Sequence, residues 1–350
     1  MNRRLLLIIP LLLLQGCSTL GYYAQSIGGH LSLMGKSRPI EQVLRDPGTS
    51  EELRSRLLTV QSIRAFSIET MHLPENDSYH SYADLNRDAV VWSLVATPEF
   101  SVDAKTWCYP FIGCAGYRGY FNRADAREHG DQLSLQGMDV AIESVPAYST
   151  IGWFDDPLPS TVIEWPEYRL AGLIFHELSH QLLYVKDDTT FNESFAMAVE
   201  LAGVERWLEK QGVPGAMASW RKSRQREKTF VDMLLSTRHR LEQLYDQPLT
   251  VAGMRQRKAG LFDELKLEYQ ALRESWGGYA GYDRWFSRGL NNARLASIAT
   301  YEQWVPAFIH LLQREDSIEA FYAACRRLAE LPYDQRQAQL KLLLSAAQGR

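Results

Sequence analysis

The sequence predicts a mainly α-helical fold with a small β-sheet, an α+β chain. Three observations carry this. Long stretches repeat apolar residues at intervals of three and four, the period of a helix with one buried face. Two runs, 89–96 and 138–144, are rich in β-formers and of strand length. The breaks between helical stretches fall on Pro and Gly clusters, at Pro74, Pro248, Gly277-Gly278 and Pro332.

Along the chain, Arg3-Arg4 precede an apolar run over 5–14 and then Leu14-Gln15-Gly16-Cys17. Ten apolar residues are too few to span a bilayer and suit a secretory leader. The ending resembles a bacterial lipobox, which implies removal of residues 1–16 and a lipid anchor on Cys17. Ser18 in place of Asp implies outer-membrane sorting in a Gram-negative cell. Residues 17–38 are Gly/Ser-rich and read as a lipid-anchored tether, with Tyr22-Tyr23, Leu31 and Leu33 available for packing. Helical spacing runs through 39–73 (Val43, Leu53, Leu57, Ile63, Phe66). The strand at 89–96 is followed by aromatic, Gly-rich loops to 122, a helix over 124–136 and the strand at 138–144. A Pro/Asp loop at 152–160 leads to helices over 165–185 and 191–210. Residues 39–210 thus read as one region that carries the small sheet and the paired helices. Residues 211–350 form a helical C-terminal lobe, with segments near 217–245, 250–277, 282–291, 295–313, 316–330 and 334–347; 217–277 reads as a helical hairpin.

The chemistry is stated at His176-Glu177-Leu178-Ser179-His180, inside an apolar helical run. Histidines four apart lie one turn apart on one face, so both imidazoles can reach one ion. Glu177 stands beside them, placed to take a proton from an activated water. Catalytic zinc keeps three protein ligands and leaves a position for water. Glu193, thirteen positions after His180 and at the start of the next helix, is the candidate third ligand, since an antiparallel return brings it back. A capping role for Glu193 at that helix start is the alternative. Asp188 is an N-cap or a hydrogen-bond partner of a ligand histidine.

H-E-x-x-H followed by a helix carrying Asn192-Glu193-x-x-Ala196 resembles the gluzincin metallopeptidases, in which that glutamate completes the zinc site. The spacing here is shorter than in the thermolysin and aminopeptidase N groups. A closer resemblance is to the bacterial Putative aminopeptidase family of predicted lipoproteins, carried by Phe175-His-Glu-Leu-Ser-His-Gln181, Tyr184-Val185, Asp188 and Phe191-Asn-Glu-Ser-Phe-Ala196. It extends upstream through 107–114, 117–121 and 147–157, and downstream through 290–295. The resemblance implies a gluzincin-like core and one Zn²⁺ held by His176, His180 and Glu193. It also implies Glu177 as general base and a peptide substrate, with aminopeptidase action. An edge strand above the metal would bind the substrate backbone; 89–96 and 138–144 are both candidates. A hydrogen-bond donor to the oxyanion would be Tyr148 or Tyr301, with Arg294 a further candidate. An acidic group would anchor the substrate's amino terminus, Glu99 or Glu143 being available.

Cysteine usage agrees with export to the periplasmic side of the envelope. Cys108 and Cys114 bracket a Pro/Gly-containing loop and form a candidate disulfide. A cysteine metal site is the alternative. Cys325 sits in a helical pattern as a small hydrophobe. Of 38 basic and 42 acidic residues, two arginines lie in the leader, so the 334-residue mature chain carries −6 rather than −4. No basic stripe exists, and the short run at 221–228 reads as a solvated helix face, which argues against nucleic acid. The competing functional class is a lipid-anchored zinc-binding scaffold without peptidase activity; closed structural zinc sites use four protein ligands, and the sequence offers three near the motif.

Overall fold

The computed structural model describes residues 21–109, 113–147, 150 and 152–349; Cys17 and Tyr148 lie outside them. Residues 21–35, expected within a tether, form helix α1. Leu33 is buried among Leu85, Val90 and Val91, and the Arg118 guanidinium sits 3.8 Å from the centre of the Tyr22 ring. Burying these side chains offsets the chain entropy that a free tether would retain.

The helix expected over 39–73 is divided into α2 (Ile40–Arg45) and α3 (Glu51–Glu69). Between them, Gly48 N–H donates to Asp46 Oδ1 at 2.9 Å, and Ser50 caps α3 by accepting from Leu53 N–H. The apolar spacing continues across this turn because both helices face the same core.

The strands are β1 (Ser37–Pro39), β2 (Ser81–Ala83), β3 (Val91–Pro98), β4 (Trp107–Tyr109), β5 (Gly113–Ala115), β6 (Arg118–Tyr120), β7 (Met138–Val145) and β8 (Leu158–Pro159). Among the described residues they form a sheet β1-β2-β8, a sheet β6-β3-β7 and a hairpin β4-β5. The sheet β6-β3-β7 is antiparallel throughout, with Trp92 opposite both Tyr120 and Ser144. Helix α4 (Arg123–Leu135) covers one face, packing Ala126 and Leu133 on Leu94 and Ala96.

Helices α5 (Glu167–Leu182) and α6 (Thr189–Gln211) run antiparallel and share the largest core with α3. Their approach is close: a Cβ on Gly203 would lie 2.4 Å from the Phe175 ring. The expected helical hairpin is α7 (Ala216–Tyr245) with α8 (Val251–Ser275), whose core holds Phe230, Leu234, Phe262 and Tyr269. The short α9 (Asp283–Ser287) adds Phe286, which stacks on Tyr269 at 4.2 Å.

The segment expected as one helix over 295–313 is two, α10 (Asn292–Glu302) and α11 (Val305–Leu312), separated at Gln303-Trp304. Pro306 at the start of α11 can sit in a first turn but not mid-helix, which fixes the break. Helix α10 covers the second face of β6-β3-β7, with Ala293 and Ala296 against Val95 and Ala141. Helices α11, α12 (Ile318–Ala329) and α13 (Tyr333–Gln348) return to the α3-α5-α6 core through Phe308, Phe321 and Leu340. Among the described residues no helix is long and apolar enough to cross a membrane.

Candidate metal centre

His176 and His180 project from one face of α5, ring centres 5.0 Å apart. Glu193 on α6 comes back to them, its Oε2 lying 3.3 Å from His176 Nε2 and 3.6 Å from His180 Nε2. All three side chains are buried, and their ligand atoms lie within 4.8 Å of one another. Two ligands roughly 2.0–2.1 Å from a shared ion, at a tetrahedral angle, stand about 3.4 Å apart. The observed separations therefore fit a single small divalent ion, and two neutral imidazoles with one carboxylate fit zinc chemistry. Glu193 begins the second turn of α6, since Asp188 is the N-cap; its side chain faces the histidines rather than capping the helix.

The electrostatics of the three groups are interlocked. Burial pushes the Glu193 carboxyl up, but the His180 and His176 imidazoles outweigh it and hold the group at about 2. Burial lowers His176, yet hydrogen bonds to Glu193 and Glu200 carry it well above the usual histidine range. Burial raises Glu177, opposed by both histidines. Without a metal, His176 holds a proton between the two carboxylates, and a divalent cation binding there would displace it.

Glu200, which sequence reading missed, orients His176. Its Oε2 lies 3.2 Å from His176 Nδ1, so that nitrogen donates to Glu200 and Nε2 is turned toward the metal site. The signal was present: Glu200 is seven residues after Glu193, two turns along the same face, and it is an acid in an otherwise apolar stripe. Gly172 makes room for it, since a Cβ there would lie 2.9 Å from Glu200 Oε1.

The Phe191-Asn192-Glu193-Ser194 motif has a use for each residue. Phe191 is fully buried in the core. Asn192 pairs with the main chain of Val185, accepting from its N–H and donating to its carbonyl, both at 2.8 Å, and so pins the link between α5 and α6. Ser194 accepts from Trp304 N–H and donates to the Tyr301 carbonyl, tying α6 to the end of α10. Asp188 caps α6 by accepting from Phe191 N–H, and its other oxygen takes Arg336 Nε at 2.8 Å. Its role is capping, not orienting a histidine.

Two cavities meet at the centre. The larger, about 550 Å³, is lined by His176, Glu177, His180 and Glu193 together with aromatic and small side chains. The second, about 500 Å³, is lined by His176, Glu177 and Glu200 with Arg224 and Glu227 of α7. Tyr301 lines both, and the negative charge of Glu193 raises its phenol well above the usual range. Of the oxyanion candidates, Tyr301 is at the site, Tyr148 falls outside the described residues, and Arg294 is committed elsewhere. Arg294 donates to the Gly289 carbonyl and lies 4.2 Å over Trp285. The expected amino-group anchors are also engaged. Arg255 grips Glu99 at 2.6 Å and Arg288 grips Glu143 at 2.5 Å, and neither acid lines either cavity.

Cys108 and Cys114 are disulfide-bonded across the β4-β5 hairpin. Asp187 Oδ1 accepts from Cys114 N–H at 2.7 Å, which ties that hairpin to the link between α5 and α6. Cys325 is free and buried. Strand β3 is interior to its sheet, whereas β7 is an edge whose last residue, Val145, lines both cavities.

A family model described as Putative aminopeptidase matches residues 21–340. No curated protein and no solved structure matches the chain.

Proposed function

The chain belongs to the Putative aminopeptidase family, and on that premise we propose that it is a zinc-dependent peptidase acting, as an aminopeptidase, at the cell envelope. The observation that carries the reading is the convergence of His176, His180 and Glu193 at separations suited to one ion, with Glu177 beside them at the junction of two cavities. When bound, zinc would acidify a water toward neutrality and polarise the scissile carbonyl. His176, held by Glu200, His180 and Glu193 would grip it. Glu177 takes the proton from the attacking water and passes it to the leaving amine, and its raised pKa suits both halves of that transfer. The Tyr301 phenol, which stays protonated, is placed to donate to the developing oxyanion.

Strand β7 is the candidate docking edge for substrate. Val140 turns its carbonyl away from β3, to Asn291 Nδ2, so the main-chain groups of Ile142 and Ser144 point outward in the same register. The opposite edge of the sheet, on β6, is occupied: Gln25 accepts from Phe121 N–H and donates to the Gly119 carbonyl. By the lipobox resemblance, Cys17 carries a lipid that holds the enzyme on the periplasmic face of the envelope, in the outer membrane if the cell is Gram-negative.

Glu177→Gln tests the assignment. The variant should keep its zinc stoichiometry and lose at least about a hundredfold in peptide hydrolysis, measured on free-amine and blocked peptides. A variant that cleaves at the wild-type rate ends the mechanism. A wild type that binds zinc yet cleaves neither peptide class supports the scaffold reading instead.

A further inference from the structure

The two cavities beside the metal centre differ in character. Among the described residues, the only groups lining the larger one that carry charge near neutral pH are those of the centre itself; the rest are aromatic, aliphatic or small, apart from Asn192, whose amide is bonded to the Val185 main chain. Its roof is one face of the strand stretch that includes β5 and β6, where alternate residues face one side. Those positions hold Gly113, Ala115, Tyr117, Gly119 and Phe121, and β3 contributes Ser93 beside Gly119. The small residues Gly113, Ala115, Gly119 and Ser93 leave open volume between the rings of Tyr117 and Phe121. At the mouth stand Trp153 and Phe154, 65 % and 53 % exposed, an aromatic rim of the kind that marks a binding site.

The remaining wall comes from the N-terminus. Tyr22 and Ser26, one turn apart on α1, both line this cavity. The helix is fixed there by the Tyr22 stack under Arg118, by Gln25 on the β6 edge and by the buried Leu33.

We propose that the larger cavity holds a large uncharged apolar side chain next to the scissile bond, and that α1 is a specificity wall rather than a tether. The inference deepens the peptidase reading and rests on it. A charged side chain would be stripped of water there with no counter-charge beyond the groups of the metal centre, which disfavours Lys, Arg, Asp and Glu at that position. Each methylene seated in such a pocket contributes a further factor of discrimination, so phenylalanine should exceed glycine by at least about tenfold.

The test uses the zinc-loaded mature chain and amino-acid hydroxamates, which report the pocket without requiring turnover. Affinities for the glycine, phenylalanine and lysine hydroxamates are measured by calorimetry. The expected order is phenylalanine tightest by at least about tenfold over glycine, and lysine no better than glycine. Ser93→Leu fills the cavity from the roof and should collapse the phenylalanine-to-glycine ratio to about two or less; Tyr22→Ala removes the wall and should cut it about fivefold. Zinc content and melting temperature of each variant report its fold. A wild type that prefers lysine, or a ratio that survives both substitutions, overturns the proposal while leaving the metal centre intact. Failure of every hydroxamate to bind would instead remove the metal-centre reading and this inference with it.

Discussion

Removing the Glu200 carboxylate should weaken zinc binding without unfolding the metal-free protein. Glu200 Oε2 sits 3.2 Å from His176 Nδ1, and its side chain is 27 % exposed. A hydrogen bond to an ionised partner contributes about 1.5–3 kcal/mol. Partial exposure screens it, so the lower end, about 1.5 kcal/mol, applies. That is roughly a tenfold loss in zinc affinity, at the foot of the range of about 10- to 100-fold for groups that orient metal ligands. Glu200→Gln keeps an acceptor for the Nδ1 proton and loses only the charge, so it should fall between wild type and Glu200→Ala. Competition with a chromophoric chelator at fixed pH gives the affinities, and melting of the metal-free proteins controls for folding. If Glu200→Ala binds zinc within twofold of wild type, His176 is oriented by its helix alone and the carboxylate has no part in it.

Three further outcomes follow from particular contacts. Asn192→Ala removes the acceptor of Val185 N–H and one of the two donors to its carbonyl, leaving the longer bond from Asp188 N–H, and should cost about 2 kcal/mol in urea unfolding; an unchanged midpoint would show that the link holds itself. Gly203→Ala drives a methyl group into the Phe175 ring and should cost about 1–3 kcal/mol, with weaker zinc binding because His176 is the next residue. The Glu302 carboxyl is raised to about 7 by burial, with Arg224 opposing and Glu227 and Glu200 adding to the rise. The folded state therefore holds a proton that the unfolded chain releases near pH 4.5. Stability is full below that pH and declines up to about 7, by at most about 3 kcal/mol. Glu302→Gln should be as stable as wild type near pH 4.5 and more stable at pH 8; an equal difference at both pH values would refute the shift.

The helices were legible wherever their periodicity belonged to one element. The 176–180 motif puts His176 and His180 on one face by backbone geometry alone, because four residues are one turn. It failed where two elements face one core. The turn before α3 and the break before α11 keep the apolar spacing, so the pattern hides them. The sheet β1-β2-β8 was invisible for another reason: strands of two or three residues cannot show alternation. Glu99 and Glu143 looked free because their arginines, Arg255 and Arg288, are contributed from more than a hundred residues away. Gly/Ser content suggested mobility over residues 17–38, yet composition does not record the receiving surface on β6 and Phe121 that seats α1.

The short spacing between His180 and Glu193 is the point at which the chain departs from the thermolysin pattern, and the structure accounts for it. Only six residues separate the end of α5 from the start of α6, so the turn must be tight. Asp187 adopts φ = 64°, a left-handed conformation that Asp tolerates better than most residues. Asp188 then caps α6, and Asn192 reaches back to Val185. A tight turn brings two helices close along their length, and the close contact is met by glycine on each: Gly172 faces Glu200 and Gly203 faces Phe175. With the helices so near, residues two turns apart on α6 can each reach His176, Glu193 at one nitrogen and Glu200 at the other. A longer link would not need these glycines. Their presence indicates that the compact turn and the histidine gripped from both sides are one design, and that enlarging either glycine should disturb the metal site before it disturbs the rest of the fold.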